Sequence, residues 1–190
     1  MIQDVFSALI PRMTARFKDL FYISDEHGRI LLNEQGKAIG LPVSQNLLTI
    51  KYKYSTPQEW VNELLSINQT DARKRYPFMY LNSMTVKQDI TTNNYIVDIG
   101  EIVLAVLSTQ KWTSAQRDLY SFKPILNNLY LLLYEALGVS RDCVVIDRGT
   151  RKDHYFYGKA GLYGGTENKF ADFVDAIEIN NLRIRIIKSC

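Results

Sequence analysis

An apolar strand that runs almost directly into a long helix constrains this chain more than any other feature. Within Gly100–Gln110, GEIVLAVLSTQ, the run Ile102–Leu107 is apolar at consecutive positions, so both its faces need cover and it belongs in the centre of a sheet. Lys111–Gly138 follows, with Leu119, Phe122, Leu126, Leu129, Leu133 and Leu137 at helical spacing. Thr113-Ser114-Ala115-Gln116 reads as a capping box with Thr113 as N-cap, and Gly138 reads as the C-terminal stop. Pro124 lies inside the pattern and brings no N–H, so it should bend the helix near Tyr120–Lys123 or split it. Leu131, Leu132 and Tyr134 widen the apolar surface beyond one stripe. Such a helix either lies between two layers or meets another subunit.

Shorter elements surround that pair. Ile2–Phe17 is an amphipathic helix: Ile2, Val5, Phe6, Leu9, Ile10, Met13 and Phe17 share a face, and Pro11 should kink it. Leu20–Gly36 reads as a hairpin turning at His27-Gly28. Asn46–Tyr54 alternates as a half-buried strand whose Lys51 and Lys53 suit a sheet edge. Ser55–Leu65 opens with Thr56, Pro57 and Glu59 in helix-capping order and would bury Trp60, Leu64 and Leu65. Arg75–Met84 is a strand with Pro77 at its start or on an edge, and Lys87–Asn94 is a polar connection. Asp98-Ile99-Gly100 and Asn180-Asn181 each suggest a bulge or bend. Asp142–Asp147 is a short strand, Arg148–Glu167 a tyrosine-rich hairpin and Asp175–Lys188 a final strand. The fold predicted is one α+β domain over residues 1–190. Its sheet is mostly antiparallel, packed by the long helix and the N-terminal helix, with hairpin elaborations at about 20–40 and 148–167.

Composition narrows the function classes only a little. A net charge of +3 permits contact with nucleic acid without requiring it. Two cysteines, Cys143 and Cys190, make no disulfide framework and fit a reducing compartment. No apolar run is long enough for a membrane span, and the N-terminus lacks the pattern of a signal peptide. The residues offer no convincing catalytic set. His27 and His154 are the only histidines, and each sits among turn-like, charged neighbours without an evident Ser or Cys partner. Asp25, Glu26 and His27 read as turn chemistry rather than metal ligands. Gly158-Lys159-Ala160-Gly161 with Gly164-Gly165 matches no phosphate-binding fingerprint. Asp98, Glu101 and Lys111 only loosely resemble a metal-dependent nuclease, at the wrong spacing. Arg148, Arg151, Lys152 and Lys159 lie close to Tyr155 and Tyr157. That mixture can bind nucleic acid, but an ordinary solvated hairpin is the better reading.

The layout resembles the tail-terminator and tail-completion proteins of tailed bacteriophages. The closest echoes are YPFMYLNSM at Tyr76–Met84, EIVLAVLST at Glu101–Thr109, SFKPILNNLYLLLYEAL at Ser121–Leu137 and DAIEINNLRIRI at Asp175–Ile186. The resemblance implies a structural virion protein of the neck or head–tail junction, with no active site, cofactor or metal. It implies a six- or twelve-fold ring around the DNA channel, made in the host bacterial cytoplasm, touching other neck, portal or tail proteins and no membrane. Leu129, Leu132, Tyr134, Tyr155 and Tyr157 would then be candidate subunit contacts. Arg148, Arg151, Lys152 and Lys159 would be candidates for passing contact with DNA. The alternative is a nucleic-acid-binding or nuclease-like phage protein.

Overall fold

In a computed structural model, residues 2–19, 50–54, 77–109, 111–155 and 173–187 are described. They form an α+β fold with a six-stranded, mostly antiparallel sheet. In chain order the elements are helix α1 (Ile2–Asp19), strand β1 (Lys51–Tyr54), strand β2 (Phe78–Asp89) and strand β3 (Asn94–Leu107). A helical run follows: α2 (Ser114–Arg117), a π-helical stretch (Asp118–Leu126) and α3 (Asn127–Val139). Strands β4 (Cys143–Asp147), β5 (Thr150–His154) and β6 (Val174–Ile186) complete it. The predicted hairpin at 20–40 and helix at 55–65 lie outside the described residues, as do Tyr157, Lys159 and Cys190.

The sheet order is β1-β2-β3-β6-β4, and β5 pairs with β6 beyond β4. β3 is therefore central, as its two apolar faces require. Ile102, Leu104 and Val106 join the main core, while Val103 and Ala105 join a second cluster on the opposite face with Phe78, Tyr80, Val174 and Ala176. β1 lies at one end of the sheet and runs parallel to β2, the one parallel pairing among the described strands. The predicted polar connection at 87–94 is instead mostly ladder. Pairing continues out to Asp89 with Asn94, and only Ile90–Asn93 turn. Lys87, Gln88 and Asp89 are polar because that end of β2 is exposed or half-exposed, not because it leaves the sheet.

Helices α1 and α3 pack on one face of the sheet. Val5, Phe6, Leu9 and Met13 of α1 and Leu129, Leu132, Leu133, Ala136 and Leu137 of α3 share the main core. The helical run begins as predicted. Thr113 Oγ1 accepts the Gln116 N–H at 3.3 Å, and the Thr113 N–H donates to Gln116 Oε1 at 2.9 Å. Pro124 neither splits nor ends the run. The backbone there takes the wider π spacing, in which the Asn127 N–H donates to Phe122 O, five residues back. A proline has no N–H to give and its ring crowds the carbonyl four residues earlier; π spacing relieves that clash. Asn128 Nδ2 donates to Pro124 O at 2.8 Å.

Gly138 does not terminate the helix. The run continues to Val139, and Ser140, at φ −69° and ψ 131°, breaks it with extended backbone. Gly138 has no left-handed φ, and a Cβ built on it meets nothing within 4 Å. Gly138→Ala should therefore stabilise the protein by about 0.5–1 kcal/mol, seen as a higher urea midpoint at unchanged slope.

The two predicted bulges are one feature. Ser83 (φ 58°) and Asn181 (φ 60°) are left-handed and flank Gly100 in the same transverse row. No residue is inserted: Leu81 pairs with Ile102 and Met84 with Ile99, while Ile102 pairs with Ile179 and Ile99 with Leu182. Instead the inward phase shifts in all three strands together. On β2 the inward residues Met79 and Leu81 give way to Met84. On β3 Val97 and Ile99 give way to Ile102 and Leu104, and on β6 Ile177 and Ile179 give way to Leu182 and Ile184. A shift shared by neighbours keeps the register, so it is a pleat break rather than a bulge. A true register shift occurs between Val145 and Asp147 on β4.

Candidate functional site

The pleat break creates a polar basin on the sheet face away from the helices. Its cavity is about 400 Å³, lined by Ser83, Thr85, Asp98, Asp147, Asn181 and Arg183 among others. Pairing sets Thr85, Asp98, Arg183 and Asp147 side by side in one row across four strands. Asp98 Oδ1 accepts from Arg183 Nε at 2.5 Å, and its Oδ2 accepts from Lys87 Nζ at 3.3 Å. The Arg183 hydrogen bond, with help from Lys87, holds the Asp98 carboxyl below the usual carboxylate range. Asp147 Oδ1 accepts the Gly149 N–H at 2.9 Å. Both carboxylates are thus already engaged by donors, which suits neither to abstract a proton from a substrate. His154 is far from the basin along β5, 3.1 Å from Glu178 Oε2. Among the described residues, no three His, Cys, Asp or Glu side chains converge as a metal site. The basin is a surface of mixed charge.

The predicted contact residues separate into groups. Leu129, Leu132 and Tyr134 are buried in the protein's own core, and Leu132 also lines a small notch between α1 and α3. The helix is wide in apolar character because it packs against both the sheet and α1. Tyr134 also donates its hydroxyl hydrogen bond to Arg148 O. Tyr155 is exposed at 41%, with its ring 4.9 Å from Phe122 and its hydroxyl donating to Asp118 Oδ1 at 2.7 Å. That hydrogen bond to a carboxylate pushes the Tyr155 phenol up to about 12.

Arg148, Arg151 and Lys152 lie in or beside a strand of the main sheet, and residues 156–167 of the predicted hairpin lie outside the described residues. Thr150–His154 is a strand of the main sheet, paired with β6. Arg148 lies over the Tyr134 ring at 5.3 Å and Arg151 over the Tyr130 ring at 4.8 Å. Arg151 also meets Asp153 at 2.7 Å and donates to Asn127 Oδ1 at 2.6 Å. Two of the cations are therefore laid against their own helix, while Lys152 stands exposed on the other face.

Sequence reasoning singled out Leu131 but missed the other exposed apolar residues. Leu131 (61% exposed) and Val139 (66%) stand on the outer side of α3, and Ile90 (92%) tops the β2–β3 hairpin. Val144, Ile146 and Ile187 are exposed at the β4 end of the sheet, where the Ile187 N–H donates to Asp142 O at 2.9 Å. Ile90 sits in a polar stretch, ITTNN, where a lone isoleucine carries no periodic signal. No described helix is long and apolar enough to cross a membrane. Compared with known proteins, the chain matches no family model and no curated relative.

Proposed function

We propose that this chain is a structural virion subunit of a tailed phage, a neck or tail-terminator protein that closes into a ring at the head–tail junction. The observation that carries the assembly reading is the placement of exposed apolar side chains on two unlike surfaces of one subunit. Leu131 and Val139 stand on the outer side of α3, and Ile90 lies at the hairpin tip. Head-to-tail association needs two different surfaces on each copy, and when its rotation closes the product is a ring. The neck assignment comes from the resemblance of the strand, helix and C-terminal strand segments.

The reading predicts a closed oligomer of fixed mass by light scattering at micromolar concentration, and a ring at the neck in images of purified particles. A clean monomer with no such ring would overturn it. The nucleic-acid reading has weaker geometric support, because Arg151 is already paired with Asp153 and Arg148 is stacked on Tyr134. DNA binding that weakens with salt, and weakens further when Arg148, Arg151 and Lys152 become alanine, would favour it instead.

A further inference from the structure

We infer that the polar basin at the pleat break is a binding site for a neutral sugar of one or two rings. The inference stands apart from the assembly reading, since the basin lies within one subunit and shares no residue with the exposed apolar positions.

The charged groups of the basin are each half used. Arg183 gives its Nε–H to Asp98 Oδ1, and among the described residues neither of its Nη groups has a partner. Asp147 accepts the Gly149 N–H at Oδ1 and keeps Oδ2 open. The two residues pair directly across β4 and β6. One atom of each side chain thus fixes it to the protein, and the rest is open to the basin. Groups held in place on strands before a ligand arrives lose little ordering entropy when it binds.

Two further polar side chains sit where the backbone alone would favour glycine. Ser83 and Asn181 are left-handed, a conformation that a Cβ makes costly, though less so for asparagine. A Cβ on Gly100 would lie 3.0 Å from Ser83 Oγ, so the glycine cedes the room that the serine fills. Neither side chain gains a hydrogen bond to a described residue in return. Both are exposed, and each adds a donor and an acceptor to the basin.

Charge and shape select the ligand. Asp98 and Asp147 are balanced by Arg183 and Lys87. An anion drawn to Arg183 would meet Asp147 beside it, and an ammonium drawn to Asp147 would meet Arg183. No aromatic side chain is among the described lining residues, and Ile99 is fully buried, so a base or an acyl chain finds nothing to pack on. A cluster of hydroxyls, each both donor and acceptor, does match. The planar Nη fork suits two adjacent hydroxyl oxygens, Asp147 Oδ2 takes a hydroxyl proton, and the Asn181 amide takes one of each. A cavity that holds benzene is roughly 150 Å³, so a basin of about 400 Å³ has room for one sugar ring or two.

The test is saturation-transfer NMR on the full chain with glucose, galactose, mannose, maltose and lactose. The sugar carries the signal, so the experiment reads the same way for a monomer or a ring, and its failure is distinct from failure of the ring reading. At least one of these sugars should bind with a Kd of about a millimolar, the affinity that a ligand of this size reaches at ordinary efficiency. Arg183→Lys keeps a cation beside Asp98 but loses the fork, and Asp147→Asn keeps the acceptor for Gly149. Each should bind about tenfold more weakly or worse. Asn181→Gly should weaken binding to the same degree while its urea midpoint stays at or above the parent's, because glycine relieves the left-handed backbone. If that variant proves less stable, the other two decide. No transfer to any of the sugars overturns the inference, as does transfer that the variants retain. Tighter binding of glucuronate or glucosamine than of every neutral sugar also overturns it, because the basin would then be an ion site.

Discussion

Replacing Asp175 with alanine should destabilise the protein by about 3–5 kcal/mol, a large part of the roughly 5–15 kcal/mol that holds a domain folded. Asp175 and Arg117 are fully buried and meet at 2.5 Å. Arg117 Nη1 also donates to Ser108 Oγ, and its Nη2 donates to Thr109 O. One guanidinium therefore ties the end of α2 to the connection leaving β3 and to the start of β6. Taking away the carboxylate leaves a cation inside the protein without this counter-charge, and that is costly whatever the original pair contributed. The pair itself need not be stabilising, because both ions lost their hydration on folding. The double variant Arg117→Met/Asp175→Leu should thus lie within about 1 kcal/mol of the parent or above it. Urea unfolding of the parent, Asp175→Ala and the double variant distinguishes these contributions. A loss below about 1 kcal/mol for Asp175→Ala would mean that water reaches the site and that the pair is not isolated.

Arg117 also marks where sequence reasoning stops. In the string TSAQRDLY it looks like a surface helix residue on a capped first turn. Its burial is decided by Asp175, 58 positions away, which only the pairing of β3 with β6 brings near. The legible parts of the fold are those fixed locally. The Thr113 cap, the apolar face of α1 and the two apolar faces of β3 each depend on residues within a few positions of one another. Pro124 is legible as a disturbance, but its outcome is not. Whether a proline kinks, splits or widens a helix depends on what the next turns pack against, and Leu126, Leu129 and Leu133 hold them in the core here.

The interaction surface is less legible, for a related reason. Leu129, Leu132 and Tyr134 are natural candidates for a contact because the helix carries more apolar residues than one stripe needs. Burial against both α1 and the sheet uses that excess within the chain. The residues left exposed, Leu131 and Val139, have the same composition as the buried ones, so only the direction each faces separates them. Asn180-Asn181 gives a clear signal of a phase change. The matching changes at Ser83 and Gly100 look like separate local irregularities until the three strands stand side by side.

Gly149 continues that row into the next strand pair, and its replacement should be the most damaging glycine-to-alanine change among the described residues. Its φ is +69°, a region that costs an L-residue about 1–2 kcal/mol. A Cβ there would lie 2.1 Å from Asn180 O and 2.9 Å from Leu182 N, both backbone atoms of β6. No side-chain rotamer can relieve a clash between a Cβ and a main-chain carbonyl, so the β4–β5 connection would have to move off β6. Asp147 Oδ1, which accepts the Gly149 N–H, would move with it. Overpacking of this kind adds about 1–3 kcal/mol, so Gly149→Ala should lose about 2–5 kcal/mol by urea unfolding. Gly138→Ala is the internal control: it adds the same methyl with no steric neighbour and should change stability in the opposite sense. If both substitutions proved mild, the chain could pass β6 at a greater distance, and the close approach at the pleat break would not be a requirement of the fold. A selective loss at Gly149 would instead show that Ser83, Gly100, Asn181 and Gly149 form one continuous line, along which the backbone of each strand is fixed by its neighbour.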